Sequence, residues 1–582
     1  MSSAARTLRT AMHLRPAQVW HRLGRKVGGL LPRRPLVCPA SPVVSSSLTL
    51  PPDMPEAGAP EGDAEHWLSQ MEQGTFTHLG QTQQLATDEQ MDWRLGPVSQ
   101  DRLWTVTLHY HAWAERLAEL VARDDQLSDR ADAVLRRYLA DWLDHCDLEQ
   151  EGAEQLAWNA YAIATRIGHW ARLWHRLGER GRQPWGDGFQ QRFLKSLWKQ
   201  GAFLARNIEW DLRANHLMRD AVGLAWAGRF FEGDEPQRWL AAATQLALDQ
   251  AAEQVLPDGG HFERSPMYHL HIMEDLATLA RLIQDPAVVQ QLRETWQRMA
   301  MFVAWARHPD GHIPLLNDAA FNGCPSPSDA LKQAPARNGG GEWGGRHFAD
   351  FGLFIHHSPA WSVFFDVGPV GVDYQPGHAH ADTLTFECSF QGKRLIVDPG
   401  TFAYDHDHRR AYDRSTAAHN TVCIDGENSS EVWHIFRVGR RARPVNVAVD
   451  GEADCFHVAA SHDGYRHLPG RPMHRREMQL DADRRLKIID HVTGQGEHHM
   501  QGSLLIAPDW HVRSVGDGQW RLQNESASVT LRMQSDQPLI FSDESAAYHP
   551  AFGEEQLTRR LTWQYHGHPP LQVQTLLEGD VR

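Results

Sequence analysis

The densest run of reactive side chains in the sequence is GHAHADTLTFECSFQGKRLIVDPGTFAYD, residues 377 to 405. His378 and His380 lie two apart at the mouth of an alternating stretch, and in a strand both imidazoles project from one face. Asp398 precedes a Pro-Gly turn, and His419 follows in RSTAAHNTV. Two imidazoles and a carboxylate from separate β segments, 18 and then 21 residues apart, are three suitable ligands for a divalent metal such as zinc. Hydrogen-bonded strand histidines satisfy the same pattern. A second set lies upstream. Asn215 and His216 open an apolar helix, where Asn215 suits an N-cap. Ser265-Pro266 is a helix-start signal that puts Tyr268 in the first turn, where the exposed N–H groups favour a phenolate. A tyrosine with a bonded hydroxyl is the ordinary alternative. The DHDH run at 405 to 408 reads as a polar loop rather than a metal site.

Two kinds of element must hold these groups. From about Leu103 to Asn317 apolar residues recur at helical spacing, as in Ile272, Leu276, Leu279 and Ile283. Similar stretches run near Trp113 to Val121, Leu156 to Leu177, Phe193 to Ile208, Leu217 to Phe231, Trp239 to Val255 and Val288 to Ala306. Beyond a Gly/Pro-rich segment the period becomes two, as in Leu384, Phe386, Cys388, Phe390 and in Val529, Leu531, Met533. The expected organisation is an N-terminal extension at 1–100, a helical domain at 101–321, a linker at 322–346 and an all-β sandwich at 347–582. Pattern alone leaves a bundle, a solenoid and a closed toroid open for the helical part.

Composition limits what the chain does. Its 582 residues carry 58 Lys and Arg against 73 Asp and Glu, a net charge of −15, which argues against general nucleic-acid binding. No run of about 18 apolar residues exists, so no spanning helix is expected. The six cysteines form no CxxC pair, and neither a disulfide scaffold nor a thiolate zinc site is indicated. The first 35 residues hold eight basic side chains, Arg6, Arg9, Arg15, Arg22, Arg25, Lys26, Arg33 and Arg34, and no acid. They lack the apolar core of a secretory signal, which favours a cytoplasmic or membrane-peripheral protein over a periplasmic one. The segment reads either as a helix packed on the first domain or as a basic amphipathic helix making peripheral contact with an anionic membrane.

The ordered set GHAHAD, VDPGTFAY, RSTAAHNTVCIDGENSSE and FRVGRRARP, with weaker matches at WNAYAIATRIGHW and Asn215-His216, resembles the heparinase II/III-like polysaccharide lyases from roughly Trp158 to Arg443. The resemblance implies a multi-domain α + β fold, an N-terminal (α/α) toroid followed by a C-terminal antiparallel β-sandwich. It implies β-elimination on a uronic-acid-containing acidic polysaccharide, glycosaminoglycan-like or bacterial exopolysaccharide. By position it makes Asn215 the neutraliser of the uronate carboxyl, with Tyr268 and His378 exchanging protons. His380, Asp398 and His419 would hold one structural divalent metal, zinc first, with no organic cofactor. Arg166, His216, Tyr404 and Arg414 are candidate substrate contacts, and Arg409, Arg410, Arg414, Arg437, Arg440, Arg441 and Arg443 form a basic cluster suited to acidic groups. The competing readings are a uronyl C5-epimerase, a glycoside hydrolase using a pair among Asp258, Glu263, Asp275 and Asp318, and a non-catalytic glycan-binding or assembly protein. On the lyase reading, amide replacements at those four carboxylates leave activity intact.

Overall fold

The computed structural model describes residues 3–28, 35–46, 50, 63–87, 90–94, 102–150, 152–179, 181, 185–332, 343–451, 455–482 and 484–580. The chain divides into two compact units: one of residues 15–253 and 274–296, the other of residues 1–14, 254–273 and 297–582. This division crosses the expected boundaries. Residues 254–273 and 297–321 belong with the sheet-rich unit, although their spacing is helical. The expected linker is structured in part, with a short helix at Pro327–Leu331 and a strand at Gly344–Phe348. Its residues 333–342 lie outside the described ones, as do Arg33 and Arg34.

In the first unit the expected helices form within a few residues of their apolar runs. They include Ala112–Arg123, Ser128–His145, Ala160–Glu179, Asp187–Arg206, Asn215–Phe230 and Asp234–Gln254. The extension is not featureless: helices form at Pro16–Gly28 and Ala64–Glu72, and a hairpin pairs Thr75–His78 with Gln81–Gln84. Large aromatic side chains fill the space between helices, with Trp104, Trp142, Trp170 and Trp226 fully buried. Arg166 stands among them, over the Trp142 ring, donating to Gln200 and to the carbonyls of His109 and Ala157. Desolvation pulls its guanidinium down to about 9. Arg166 is therefore an internal clamp for the helices, and the expected substrate contact is corrected: every described donor bond is directed into the core.

The second unit is built from antiparallel sheets. A five-stranded meander runs Gly344–Phe348, Leu353–His357, Trp361–Asp366, Phe386–Phe390 and Lys393–Ile396. An eight-stranded sheet extends from Pro444–Gly451 at one edge to His511–Gly516 at the other. A four-stranded sheet holds Val422–Ile424, His498–Leu505, Gln556–Gly567 and Ile540–Tyr548. Strand Ser528–Gln534 buries Val529, Leu531 and Met533 on alternate positions, as its period requires. The buried Asn420 joins two of the sheets: its amide donates to the carbonyls of Phe386 and Val397, and its oxygen accepts from the Leu505 N–H at 2.7 Å. Buried Arg476 adds a salt bridge to Asp490 and a bond to the Leu384 carbonyl. These contacts fix the segments on either side of His419.

Close helix packing in the first unit depends on Gly223 of helix Asn215–Phe230. A Cβ built there meets the Ala164 Cα at 2.5 Å and the Leu204 Cδ2 at 2.7 Å. Alanine is the better helix former by about 1 kcal/mol, but overpacking a tight contact costs about 1–3 kcal/mol. The steric term wins. Gly223→Ala is expected to lower the thermal unfolding midpoint of the helical unit; an unchanged or raised midpoint shows that the helices are free to separate.

Candidate functional site

His378 and His380 do not sit on a strand. Residues 378–385 are irregular, with turns at 378 and at 383–384, ahead of strand Phe386–Phe390, and Leu384 takes φ of 67°. The two imidazoles are brought together by a carboxylate instead. Asp318 Oδ2 accepts from His378 Nδ1 at 2.9 Å, and Asp318 Oδ1 accepts from His380 Nε2 at 2.8 Å. Arg410 closes the group with a two-pronged salt bridge to both oxygens, its Nη2 lying 2.9 Å from Oδ2. All four side chains are buried. Arg410 and the two histidines hold the Asp318 carboxyl well below the usual carboxylate range despite its desolvation.

Backbone bonds reinforce this centre. The Asp318 N–H donates to the His378 carbonyl at 3.0 Å, and the His380 N–H donates to Asn317 Oδ1 at 2.9 Å. Arg414 is buried behind the loop, donating to the carbonyls of Ala379, His434 and Ile435. Its desolvation lowers it to about 9. Arg414 thus braces the GHAH loop, and the expected substrate contact is corrected on the same ground as Arg166. Of the basic cluster only Arg410 and Arg414 are buried; Arg441 donates to the Asp373 carbonyl, Arg440 meets His467, and Arg437 and Arg443 are exposed. Asp407 of the DHDH run caps helix His408–Asp413, consistent with a polar loop.

Tyr268 arrives from helix Pro266–Leu282, which starts at the Ser-Pro signal. Ser265 Oγ accepts the Tyr268 N–H at 3.2 Å, an N-cap that sets the first turn. The Tyr268 ring stacks on His378 with centroids 3.7 Å apart and planes at 25°. Its hydroxyl lies 3.0 Å from the Tyr404 hydroxyl. Desolvation, together with the charges of Asp318 and Glu263, raises Tyr404 well above its ordinary range. Tyr404 therefore stays protonated, and either hydroxyl of the pair can be the donor. Glu263 Oε2 lies 3.5 Å from His378 Nε2. Phe436 edges onto both His378 and Tyr404 at centroid distances of 6.0 and 5.1 Å.

The third cluster is His380, Asp398 and His419, whose ligand atoms lie within 4.8 Å of one another. His419 Nδ1 is held by both Asp398 oxygens, at 3.0 and 2.9 Å, and Thr385 Oγ1 donates to Asp398. Burial lowers His380 to about 3, so its imidazole is neutral at physiological pH, the form that ligates metals. His380 Nδ1 and His419 Nε2 are buried with no hydrogen-bond partner, an arrangement that costs free energy unless a further group binds there. The donor set fits a divalent cation.

In the helical unit, Asn215 is buried as the first residue of its helix and does not act as the N-cap, a place taken by Ala214. Arg213 and Ala214 both have positive φ, 64° and 53°, strained for residues with a Cβ. His216 Nδ1 bonds Glu209 at 2.8 Å and its ring edges onto Tyr161. Of the four hydrolase candidates, Asp258 is a turn residue accepting from the Gly260 and Phe351 N–H groups. Asp275 pairs with Arg219 at 2.9 Å. Glu263 and Asp318 flank His378 from either side. The Asp318 carboxylate is engaged by Arg410 and both histidines, which the expectation of harmless amidation does not take into account. Asp318, Arg410 and Glu263 were absent from the expected site; the visible signal was the polar pair Asn317-Asp318 inside the apolar run IPLLNDAAF.

Comparison with known proteins agrees along most of the chain. Residues 64–332 match the family model described as Heparinase II/III N-terminus, and residues 341–576 match Heparinase II/III-like, C-terminal. A heparin-sulfate lyase of Bacteroides stercoris is 24% identical over 424 residues, covering 64% of this chain and 61% of that protein. FtsZ-localized protein C of Caulobacter vibrioides is 25% identical over 406 residues, covering 66% of this chain and 64% of that protein. The chain thus spans less than two thirds of the length of either relative. A crystal structure of heparinase III superposes with a TM-score of 0.72 at 16% identity, covering 85% of this chain and 80% of that one. The fold class is accordingly an (α/α) toroid followed by an antiparallel β-sandwich.

Breaking a buried ion pair by removing one partner costs about 3–5 kcal/mol, because the other charge is left unpaired. Asp318→Asn is expected to lose stability of that order in denaturant unfolding, through Arg410. A midpoint within error of the parent protein contradicts the assignment of Asp318 as the centre of the site.

Proposed function

Since the chain belongs to the heparinase II/III-like family, we propose that it is a polysaccharide lyase cleaving a uronic-acid-containing acidic polysaccharide by β-elimination. The observation that carries the reading is the Tyr268 phenol stacked on His378, with the Tyr404 hydroxyl at hydrogen-bond distance from its oxygen. In the elimination a proton leaves C5, the C4–C5 double bond forms, and the C4 oxygen departs with a proton. No co-reactant is consumed. Tyr268 gives its proton to the departing oxygen, and the resulting phenolate is stabilised by the Tyr404 hydroxyl. His378 Nε2, which faces Glu263 Oε2 at 3.5 Å, is assigned to take the C5 proton, with Nδ1 held on Asp318. Asn215 is assigned to the substrate carboxyl, where an amide donor supports the enolate-like charge that develops as C5 loses its proton. Glycosaminoglycans and bacterial exopolysaccharides are the two substrate classes proposed.

The cluster His380, Asp398 and His419 is assigned one structural zinc ion. When bound it supplies fixed positive charge; the chain's own residues orient the loop around it, with Asp318 holding the outer nitrogen of His380. Elemental analysis of the purified chain is expected to find zinc in equimolar amount and to lose it in His419→Ala. A metal-free chain of undiminished stability contradicts the assignment.

A second reading, a non-catalytic glycan-binding protein, is favoured by one observation: the Caulobacter relative is named for its localisation rather than for catalysis. One assay separates the two. A panel of acidic polysaccharides is incubated with the protein and followed for the ultraviolet absorbance of unsaturated uronyl ends. The lyase reading gives absorbance on at least one polymer, and Tyr268→Phe lowers the rate about 10²–10⁴-fold while binding persists. Binding without absorbance on any polymer establishes the second reading, and epimerised product without absorbance indicates a C5-epimerase.

A further inference from the structure

Helix Pro16–Gly28 faces the wrong way for a soluble protein. A helix on a protein surface ordinarily turns its apolar stripe inward and its polar face to water. Here the attached side is polar. Gln18 is fully buried and its amide donates to the Asp211 carbonyl; Arg25 pairs with Asp211 at 3.0 Å; Arg22 reaches the same carbonyl; and His21 stacks on Trp210. The opposite side carries Pro16, Val19, Trp20 and Leu23, which fall within about 100° of the helix circumference. These are exposed: Val19 by 41%, Leu23 by 54% and Trp20 by 75%. Burying Trp and Leu is what ordinarily drives a helix to dock, so a helix fastened by its polar face holds its apolar one in reserve.

Charge selects the occupant. The first 35 residues hold eight Lys and Arg and no Asp or Glu, whereas the rest of the chain holds 50 against 73, a difference of −23. We propose that this helix docks the protein on an anionic lipid bilayer, with Trp20 and Leu23 entering the headgroup boundary and the net positive charge of the first 35 residues drawing the segment to the lipid phosphates. Trp is at home at that depth, and Arg side chains extend along the surface to keep their charge at the polar level. A second copy of the chain fits less well, since pairing two such stripes brings the two basic segments together. Among the described residues no helix is long and apolar enough to cross a membrane, so the contact is peripheral. In the other unit Leu8 of helix Ser3–Ala11 and Met12 just beyond its end are exposed as well.

The test uses the full chain and vesicles of phosphatidylcholine, either alone or mixed with phosphatidylglycerol, in a flotation assay. Binding is expected to the mixed vesicles and not to the neutral ones, and to weaken as salt is raised. The double substitution Trp20→Ser, Leu23→Ser lowers it roughly tenfold or more. Both exposed sites leave the core intact, which far-ultraviolet dichroism verifies. The proposal is overturned if mixed vesicles do not bind, if the double variant binds as the parent does, or if sedimentation shows a dimer that the double variant dissolves.

Discussion

One buried carboxylate organises the sheet-rich unit's chemistry. Asp318 accepts from His378 and His380 at once and is neutralised by Arg410. Taking an ionised carboxylate out of water is costly, and only the full set of donors around it offsets that cost. The consequence is geometric. Because an ionised carboxylate only accepts, both imidazoles must present N–H groups to it, and the choice of nitrogen follows from their placement. His378 points Nδ1 inward and leaves Nε2 for exchange, while His380 points Nε2 inward and leaves Nδ1 for a metal. One side chain thus sets the tautomers of two neighbouring sites.

The residues around this centre supply rigidity rather than contact with a substrate. Arg414 holds the carbonyls of the GHAH loop, Asn420 joins the sheets beside His419, and Ser265 starts the helix that carries Tyr268. Each is buried and each acts on backbone, the means by which reactive side chains are kept within the small tolerances that proton transfer needs. Tyr404 completes the set, its hydroxyl held within hydrogen-bond distance of the Tyr268 hydroxyl.

Much of this was legible in the residues. The Ser-Pro start of the Tyr268 helix, the apolar stripe of Ile272, Leu276 and Leu279, and the alternation of Val529, Leu531 and Met533 follow from local rules and reappear in the structure. The His380, Asp398 and His419 grouping also emerges, though its members are far apart in sequence. What was not legible depends on tertiary burial. Arg166 and Arg414 read as available cations, yet their donors are consumed by carbonyls whose positions only the folded chain reveals. Asp318 looked like one carboxylate among four, because its partners come from 60 to 92 residues away. The loop at 378–385 imitates a strand in its alternation, but the positive φ of Leu384 breaks the pairing before Phe386. The helix Pro16–Gly28 misleads in the opposite sense: its amphipathic pattern is plain, and only the structure tells which face is fastened.

The account's central claim is that Asp318 dictates opposite tautomers at His378 and His380. Long-range ¹H–¹⁵N correlation spectra of the intact chain with labelled histidine, assigned through His378→Gln and His380→Gln, measure this directly at neutral pH. The expected result is a proton on Nδ1 of His378 and on Nε2 of His380, with Nδ1 of His380 bare or metal-bound. A bare Nδ1 on His378, or the same neutral tautomer on both rings, contradicts it.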